Sequence, residues 1–305
     1  MRYLLKKSPI TFAMKETDNQ TKMHSLSNIF RFAVGCLMLT APSCSTAKLS
    51  VMSFNVRQSH AREANPNDSW DNRKEACLEM LQARKPDLVG FQETQFKGQW
   101  SFFRDSLASE YGSVGIGRDN GVDKGETSGF LFKKSVLTLL DSGTFWVSET
   151  PDVPSKSFDE KYNRSLTWGL FNVNKTGKRF FYFNTHLGLT WRSQSEGVNM
   201  IVRKMQELNP EGLPLIFSGD LNTDISSKAF DSLKQFMLNS HDVAPVSDDV
   251  PTYNAWGNKN KERIIDFIWI TPDIKCLEYH TDTTPYGGHE LISDHYPISC
   301  IIKIR

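Results

Sequence analysis

Short runs of apolar, β-branched and aromatic residues, each closed by turn residues, recur along the chain from Leu49 onward. Runs of that length and composition predict strands over 49–56, 87–92, 128–133, 144–148, 166–173, 179–185, 215–218, 264–270 and 298–304. Helical spacing is rarer. Ala76, Cys77, Met80 and Leu81 form one stripe, behind Asp71 or Asn72 as a cap; Val198, Ile201, Val202, Met205 and Leu208 form a second, closed by Asn209-Pro210. Ala229, Phe230, Leu233, Phe236 and Met237 form a third, opened by Ser226 or Ser227. The turn sequence at 174–178, lying between two strands, implies antiparallel pairing. The few helices imply layers that cover a sheet. With no repeat and no Pro/Ser-rich linker after Lys48, residues 48–305 read as one β-rich α/β domain.

Residues 1–47 depart from this pattern. From Met23, which reads as an alternative start, a short polar stretch with His24 and Arg31 leads into the apolar run 32–39 and then Ala41-Pro42-Ser43-Cys44. This has the shape of a secretory signal peptide and is too short to span a bilayer. The last four residues resemble a degenerate lipobox that would leave Cys44 lipid-modified, whereas Ser45-Thr46-Ala47 offers an ordinary cleavage site. Either way the expectation is export to the periplasm or cell envelope of a bacterium, with any membrane contact made through the Cys44 anchor.

Charge narrows the choice of partner. The 305 residues carry a formal net charge of +1, but the first 44 hold six basic and two acidic residues, so the remainder is about −3. Proteins that wrap a long polyanion show a basic surplus. The balance argues against extended nucleic acid and leaves a short one open. Five cysteines without a CxxC spacing suggest neither a zinc ribbon nor a dense disulfide framework, and Cys77 and Cys300 fall in apolar patterns.

The candidate chemistry sits where apolar runs end in polar groups: Ser53-Phe54-Asn55, Phe91-Gln92-Glu93, Asn184-Thr185-His186, Ser218-Gly219-Asp220-Leu221-Asn222 and Ser293-Asp294-His295-Tyr296. Hard divalent cations take oxygen ligands and keep several waters, so Asn55 and Glu93 fit a metal of the Mg²⁺ class. Gly219 permits a tight turn. Asp220 and Asn222 are then placed to orient a water and to bind a phosphoryl oxygen, although the same five residues also read as a helix-capping turn. Asp266 interrupts the hydrophobic run 264–270. An unpaired buried carboxylate costs several kcal/mol, so it needs a partner. His295 is the candidate, which leaves Asp294 to face the metal.

Taken in order, Ser53-Phe54-Asn55-Val56-Arg57, Gln92-Glu93, Asn184-Thr185-His186, Gly219-Asp220-Leu221-Asn222, Ile265-Asp266-Phe267 and Ser293-Asp294-His295-Tyr296-Pro297 resemble the endonuclease/exonuclease/phosphatase superfamily. The segments 69–74, 115–119, 141–146 and 164–168 resemble a branch found in secreted bacterial proteins. The resemblance implies a DNase I-like four-layer α/β/β/α sandwich of two mainly antiparallel sheets, and metal-dependent hydrolysis of phosphoesters. It also implies roles: Asn55, Glu93 and Asp294 at Mg²⁺, with Mn²⁺ as a substitute; Asp220 on the attacking water; Asn222, His186 and Arg164 on phosphate oxygens; and His295, braced by Asp266, at the transition state.

Two features depart from the superfamily. Arg57 stands where many of its nucleases carry an acidic residue, and Gly188 stands where related secreted sequences often have Asp. The loop after Gly188 brings Trp191, either as a wall of the substrate pocket or packed on the following helix. The expectation is a hydrolase of a small or lipid-borne phosphoester with no obligate protein partner. The alternatives are a nuclease of the exonuclease or deadenylase type, and a glycan- or lipid-binding protein without turnover.

Overall fold

The computed structural model describes residues 48–305. The leader reading and Cys44 fall outside them. In chain order the strands are β1 (Lys48–Asn55), β2 (Leu88–Gln92), β3 (Thr94–Gln95), β4 (Tyr111–Val114), β5 (Glu126–Thr127), β6 (Phe130–Lys133) and β7 (Leu137–Trp146). They continue with β8 (Ser165–Val173), β9 (Arg179–His186), β10 (Leu215–Asp220), β11 (Leu238–Asn239), β12 (Asp266–Ile270), β13 (Ile274–Thr281) and β14 (Ile298–Ile304). The helices are α1 (Trp70–Arg84), α2 (Ser101–Ser106), α3 (Trp191–Leu208), α4 (Asp231–Lys234) and α5 (Ser240–Val243).

Two six-stranded sheets result, ordered β13-β14-β1-β2-β6-β4 and β11-β12-β10-β9-β8-β7. Only β1 with β2 and β9 with β10 pair in parallel; the other pairs are antiparallel. Both sheets are covered on both faces, so their central strands are buried along most of their length instead of alternating. In β1, Leu49 and Val51 enter the core between the sheets, while Met52 and Phe54 pack outward with Ala76, Cys77, Met80 and Leu81 of α1. The other sheet does the same. Tyr182 and Ile216 face inward, and Phe181, Phe183 and Phe217 pack with Val198, Ile201 and Met205 of α3. Burying each such side chain is worth about 1.5–3 kcal/mol. The layers are therefore helix, sheet, sheet and helix.

Some boundaries differ from the sequence reading. Ser69, not Asp71 or Asn72, occupies the N-cap of α1, and it makes no side-chain cap bond. Ser227 caps a 3₁₀ turn, Lys228–Phe230, that runs into the short α4 in place of one longer helix. The strand expected at 144–148 is the end of the longer β7, whose exposed middle hides the alternation. Gly219 lies inside β10, where its neighbour across the ladder leaves no room: a Cβ there would come within 2.1 Å of the Thr185 carbonyl oxygen.

Candidate active site

Strand register assembles half of the site. Asp220, the last residue of β10, is paired with His186 on β9 and with Asp266 on β12, so three polar side chains share one rung of the second sheet. On the first sheet Asn55 ends β1 beside Gln92, and Glu93 follows with a φ of 61°. The two halves meet where Asn55 Nδ2 donates to Asp220 Oδ2 at 2.9 Å and to Glu93 Oε1 at 3.2 Å.

A buried polar seam fixes how the sheets face each other. Gln92 Nε2 donates to Asn184 Oδ1 (2.8 Å) and Ser53 Oγ (3.1 Å), and Ser218 Oγ donates to the same Asn184 oxygen (3.1 Å). Asn184 Nδ2 in turn reaches the carbonyls of Phe91, Ser128 and Gly129 at 2.9, 3.1 and 3.1 Å. Buried amides persist when most of their polar atoms are satisfied, and in this seam Gln92 Oε1 alone lacks a partner. The seam therefore sets the sheet-to-sheet register on which the site depends.

His295 stands between two carboxylates. Its Nδ1 is 2.8 Å from Asp266 Oδ2, and its Nε2 is 3.7 Å from Asp220 Oδ2. Thr252 Oγ1 donates to the same Asp266 oxygen at 2.6 Å, so Asp266 is held from two sides. Burial opposes a charge on His295, but Asp266 and Asp220 override it and raise the ring to about 10. The imidazole is therefore cationic near neutral pH. Burial pushes Asp266 upward. Burial would do the same to Asp220, yet His186 and His295 hold it below the usual carboxylate range.

These groups open on a cavity of about 310 Å³ whose walls include Glu93, His186, Asp220, Asn222, Asp294 and His295. His186 Nε2 lies 3.5 Å from Asp220 Oδ2. Asn222, with a φ of 51°, donates its backbone N–H to Asp220 Oδ1 and its Nδ2 to the Leu187 carbonyl, both at 2.9 Å. Asp294 reaches Arg57 Nη1 at 3.4 Å, and burial raises its pKa. Arg164 is buried in the wall with its Nε 3.6 Å from Glu160. Trp191 lies elsewhere: it is 56% exposed at the first turn of α3, and Leu189 and Tyr162 occupy the cavity rim instead.

Arg57, Glu93 and Asn222 line the cavity with positive φ. Each such backbone costs on the order of 1 kcal/mol or more for a residue with a side chain. Strain of this kind concentrates where the surrounding structure must aim a functional group.

The donor set suits a hard divalent cation. Ligand atoms of Glu93, His186 and Asp220 lie within 4.8 Å of one another, and Asp294 adds a carboxylate to the same cavity. Asn55 meets this cluster through its amide nitrogen, since its Oδ1 accepts the Arg57 N–H at 2.9 Å. In this arrangement it steadies the two carboxylates. A second cluster, Asp220, Asp266 and His295, is consumed by its own hydrogen bonding and charge pairing.

Sequence reasoning passed over Glu126, Arg118, Arg263 and Thr252. Arg118 Nη1 pairs with Glu126 Oε2 at 2.6 Å, and both line the cavity. Burial resists ionisation of Glu126, but His186 and Arg118 bring it down to about 2. At 3.8 Å from Glu126, His186 Nδ1 is too far for a hydrogen bond and has no other partner among the described residues. Burial lowers Arg118. Arg118 falls in the segment 115–119 noted above, but nothing in the turn-rich loop that follows marks Glu126.

Comparisons with known proteins point to one family. A model of the Endonuclease/Exonuclease/phosphatase family matches residues 52–295. An endonuclease/exonuclease/phosphatase family protein of Bacteroides thetaiotaomicron superposes with a TM-score of 0.79 at 29% identity, covering 86% of this chain and 99% of that one. A mannosyl-6-phosphatase of the same organism gives a TM-score of 0.77 at 30% identity, covering 83% and 99%. The Ccr4 3'-5'-exoribonuclease subunit of the Emericella nidulans CCR4-Not complex is 33% identical over 165 residues, which is 46% of this chain and 24% of that protein.

Proposed function

The chain belongs to the endonuclease/exonuclease/phosphatase family, whose members are metal-dependent hydrolases of phosphoester bonds, and from that premise we propose that it is a phosphomonoesterase of small molecules. The observation that carries the reading is the cavity itself. At about 310 Å³ it suits a small ester and not a polymer. Its walls set Arg57, Arg118, Arg164 and Arg263 against Glu93, Glu126, Asp220 and Asp294, with the His295 cation in addition. A divalent metal then leaves a positive surplus that favours a monoester dianion over a diester monoanion.

Mg²⁺, or Mn²⁺ in its place, held by Glu93 with Asp294 and Asn55 beside it, would supply charge neutralisation at the phosphoryl oxygens. The protein's own groups do the rest. Asp220 orients the attacking water, and its lowered basicity suits it better to positioning that water than to removing its proton early. Asn222, His186 and Arg164 hold phosphoryl oxygens in line. His295, kept charged and oriented by Asp266, stabilises negative charge as it builds on the pentacoordinate phosphorus. Export, and an anchor at Cys44, belong to the same proposal and rest on the sequence of residues 23–47 alone.

The Emericella relative is the support for a nuclease as the second reading. A substrate panel separates the two: hexose and inositol phosphates, bis-p-nitrophenyl phosphate, sphingomyelin, and short DNA and RNA, each with Mg²⁺ and with chelator. Metal-dependent phosphate release from monoesters ahead of every diester is the expected result. Faster cleavage of RNA, or turnover indifferent to chelator, would overturn the reading.

A further inference from the structure

Beside the catalytic cavity lies a second one of about 430 Å³. The two share Gln58, Arg118, Glu126 and Tyr162 as a common wall, and the second adds His60, Gln95, Asp119 and Gly125. The two cavities therefore adjoin, and a group attached to a phosphate seated in the first lies next to the second.

The second cavity is a built surface. Gln99 is fully buried beneath it: its Oε1 accepts the N–H groups of Ser59 (2.8 Å) and Gln95 (3.1 Å), and its Nε2 donates to the Arg57 carbonyl (2.9 Å). That one carboxamide ties the segment carrying Gln58 and His60 to the strand carrying Gln95. Gln95 is itself paired with Glu126 across β3 and β5. Arg118, 7% exposed, closes the far side through Glu126.

The chemistry on this frame is specific. The side chains of Gln58, His60 and Gln95 have no hydrogen-bond partner among the described residues, so two carboxamides and an imidazole stand free on one wall. A carboxamide both donates and accepts, as a hydroxyl does. Asp119 and Glu126 add carboxylates that accept from hydroxyls and repel a second phosphate. The cavity's aromatic rings are Tyr162 and the His60 imidazole, and Arg118 and Lys161 already lie 5.7 and 5.2 Å from the Tyr162 centroid, so the larger ring is partly taken and a nucleobase would stack on it poorly.

We propose that this cavity is the leaving-group subsite and takes a neutral polyhydroxylated group, a sugar ring esterified to the phosphate held next door. The proposal rests on the phosphomonoesterase reading for where the phosphate sits, but it is testable without turnover. A hexose 6-phosphonate keeps the charge and hydroxyls and lacks the scissile ester oxygen. It is titrated calorimetrically into the Mg²⁺-loaded protein against methylphosphonate and a nucleoside 5'-phosphonate.

The hexose compound should bind about tenfold or more tighter than methylphosphonate, each well-placed hydroxyl contact being worth up to about one such factor. Gln95→Ala should remove most of that gain and leave methylphosphonate within about twofold of its wild-type affinity. His60→Ala, at an exposed position, gives the same comparison if the first variant folds poorly. Equal binding of the hexose and methyl compounds, equal weakening of both by the variants, or tightest binding of the nucleoside compound would each overturn the subsite. Failure of the phosphomonoesterase reading shows separately, as absence of metal-dependent phosphate release in the substrate panel.

Discussion

Asp266 Oδ2 receives His295 Nδ1 at 2.8 Å, in a position where neither residue is more than 4% exposed. The contact fixes which ring nitrogen faces Asp220 and the cavity. Asp266→Asn keeps the shape but removes the charge, and it lets the ring settle in the wrong tautomer. We expect kcat to fall by about 10²-fold or more, with KM and the Mg²⁺ dependence nearly unchanged. Steady-state kinetics across a Mg²⁺ titration checks this. A large rise in the Mg²⁺ requirement would instead make Asp266 a metal ligand.

The same pair sets a stability profile. The His295 ring, opposed by burial and charged by Asp266 and Asp220, titrates near 10 in the folded protein. In the unfolded chain it titrates near its ordinary ~6.5. A raised folded-state pKa contributes stability that is complete below about pH 6.5 and fades as pH climbs toward 10. Urea unfolding in chelator at pH 6 and pH 10 should show the wild type losing on the order of 3 kcal/mol more than His295→Gln across that interval. Parallel losses would mean that the ring is already neutral at pH 6.

Arg118, buried in the cavity wall, pairs with the half-buried Glu126. Removing Arg118 alone leaves Glu126 charged and short of a partner, so Arg118→Ala should cost about 3 kcal/mol in stability and raise KM for a phosphomonoester by at least about tenfold. The double variant Arg118→Ala with Glu126→Ala should recover most of the stability and none of the KM. Thermal unfolding beside kinetics separates the two roles; full recovery of KM would confine Arg118 to structure.

Legibility in the sequence followed how each residue is delivered to the site. Asn55, Glu93, His186, Asp220 and Asp266 sit at the ends of strands or inside them, where a polar group interrupts an apolar run and is conspicuous. Glu126 and Thr252 arrive from short or irregular segments without periodicity, so nothing local marks them. β13 escaped because it is an edge strand whose register shifts between Cys276 and Glu278, breaking the alternation. The first half of β7 escaped because its residues are largely exposed. Strand register was the missing information: it puts His186, Asp220 and Asp266 on one rung, although 34 positions separate the first two along the chain and 46 the last two.

That dependence on register makes the seam between the sheets a place where stability and activity should fail together. Asn184 accepts from Gln92 and Ser218 and donates to the carbonyls of Phe91, on the opposite sheet, and of Ser128 and Gly129 just before β6. Asn184→Ala would strand those groups in the core, and each unsatisfied buried group costs about 1–3 kcal/mol less whatever water recovers. We expect a loss of about 3 kcal/mol in unfolding free energy. Because Gln92 precedes Glu93 and Asn184 precedes His186 by two residues, the two sides of the site should also drift apart, lowering kcat/KM by about tenfold or more at temperatures where the variant remains folded. Gly219→Ala tests the same register from the other side, since its Cβ would meet the Thr185 carbonyl oxygen at 2.1 Å and push β10 off β9. Denaturant midpoints measured with activity on both variants decide the matter: if either loses stability with wild-type kcat/KM, alignment of the two sheets is not what positions Asp220 against Glu93.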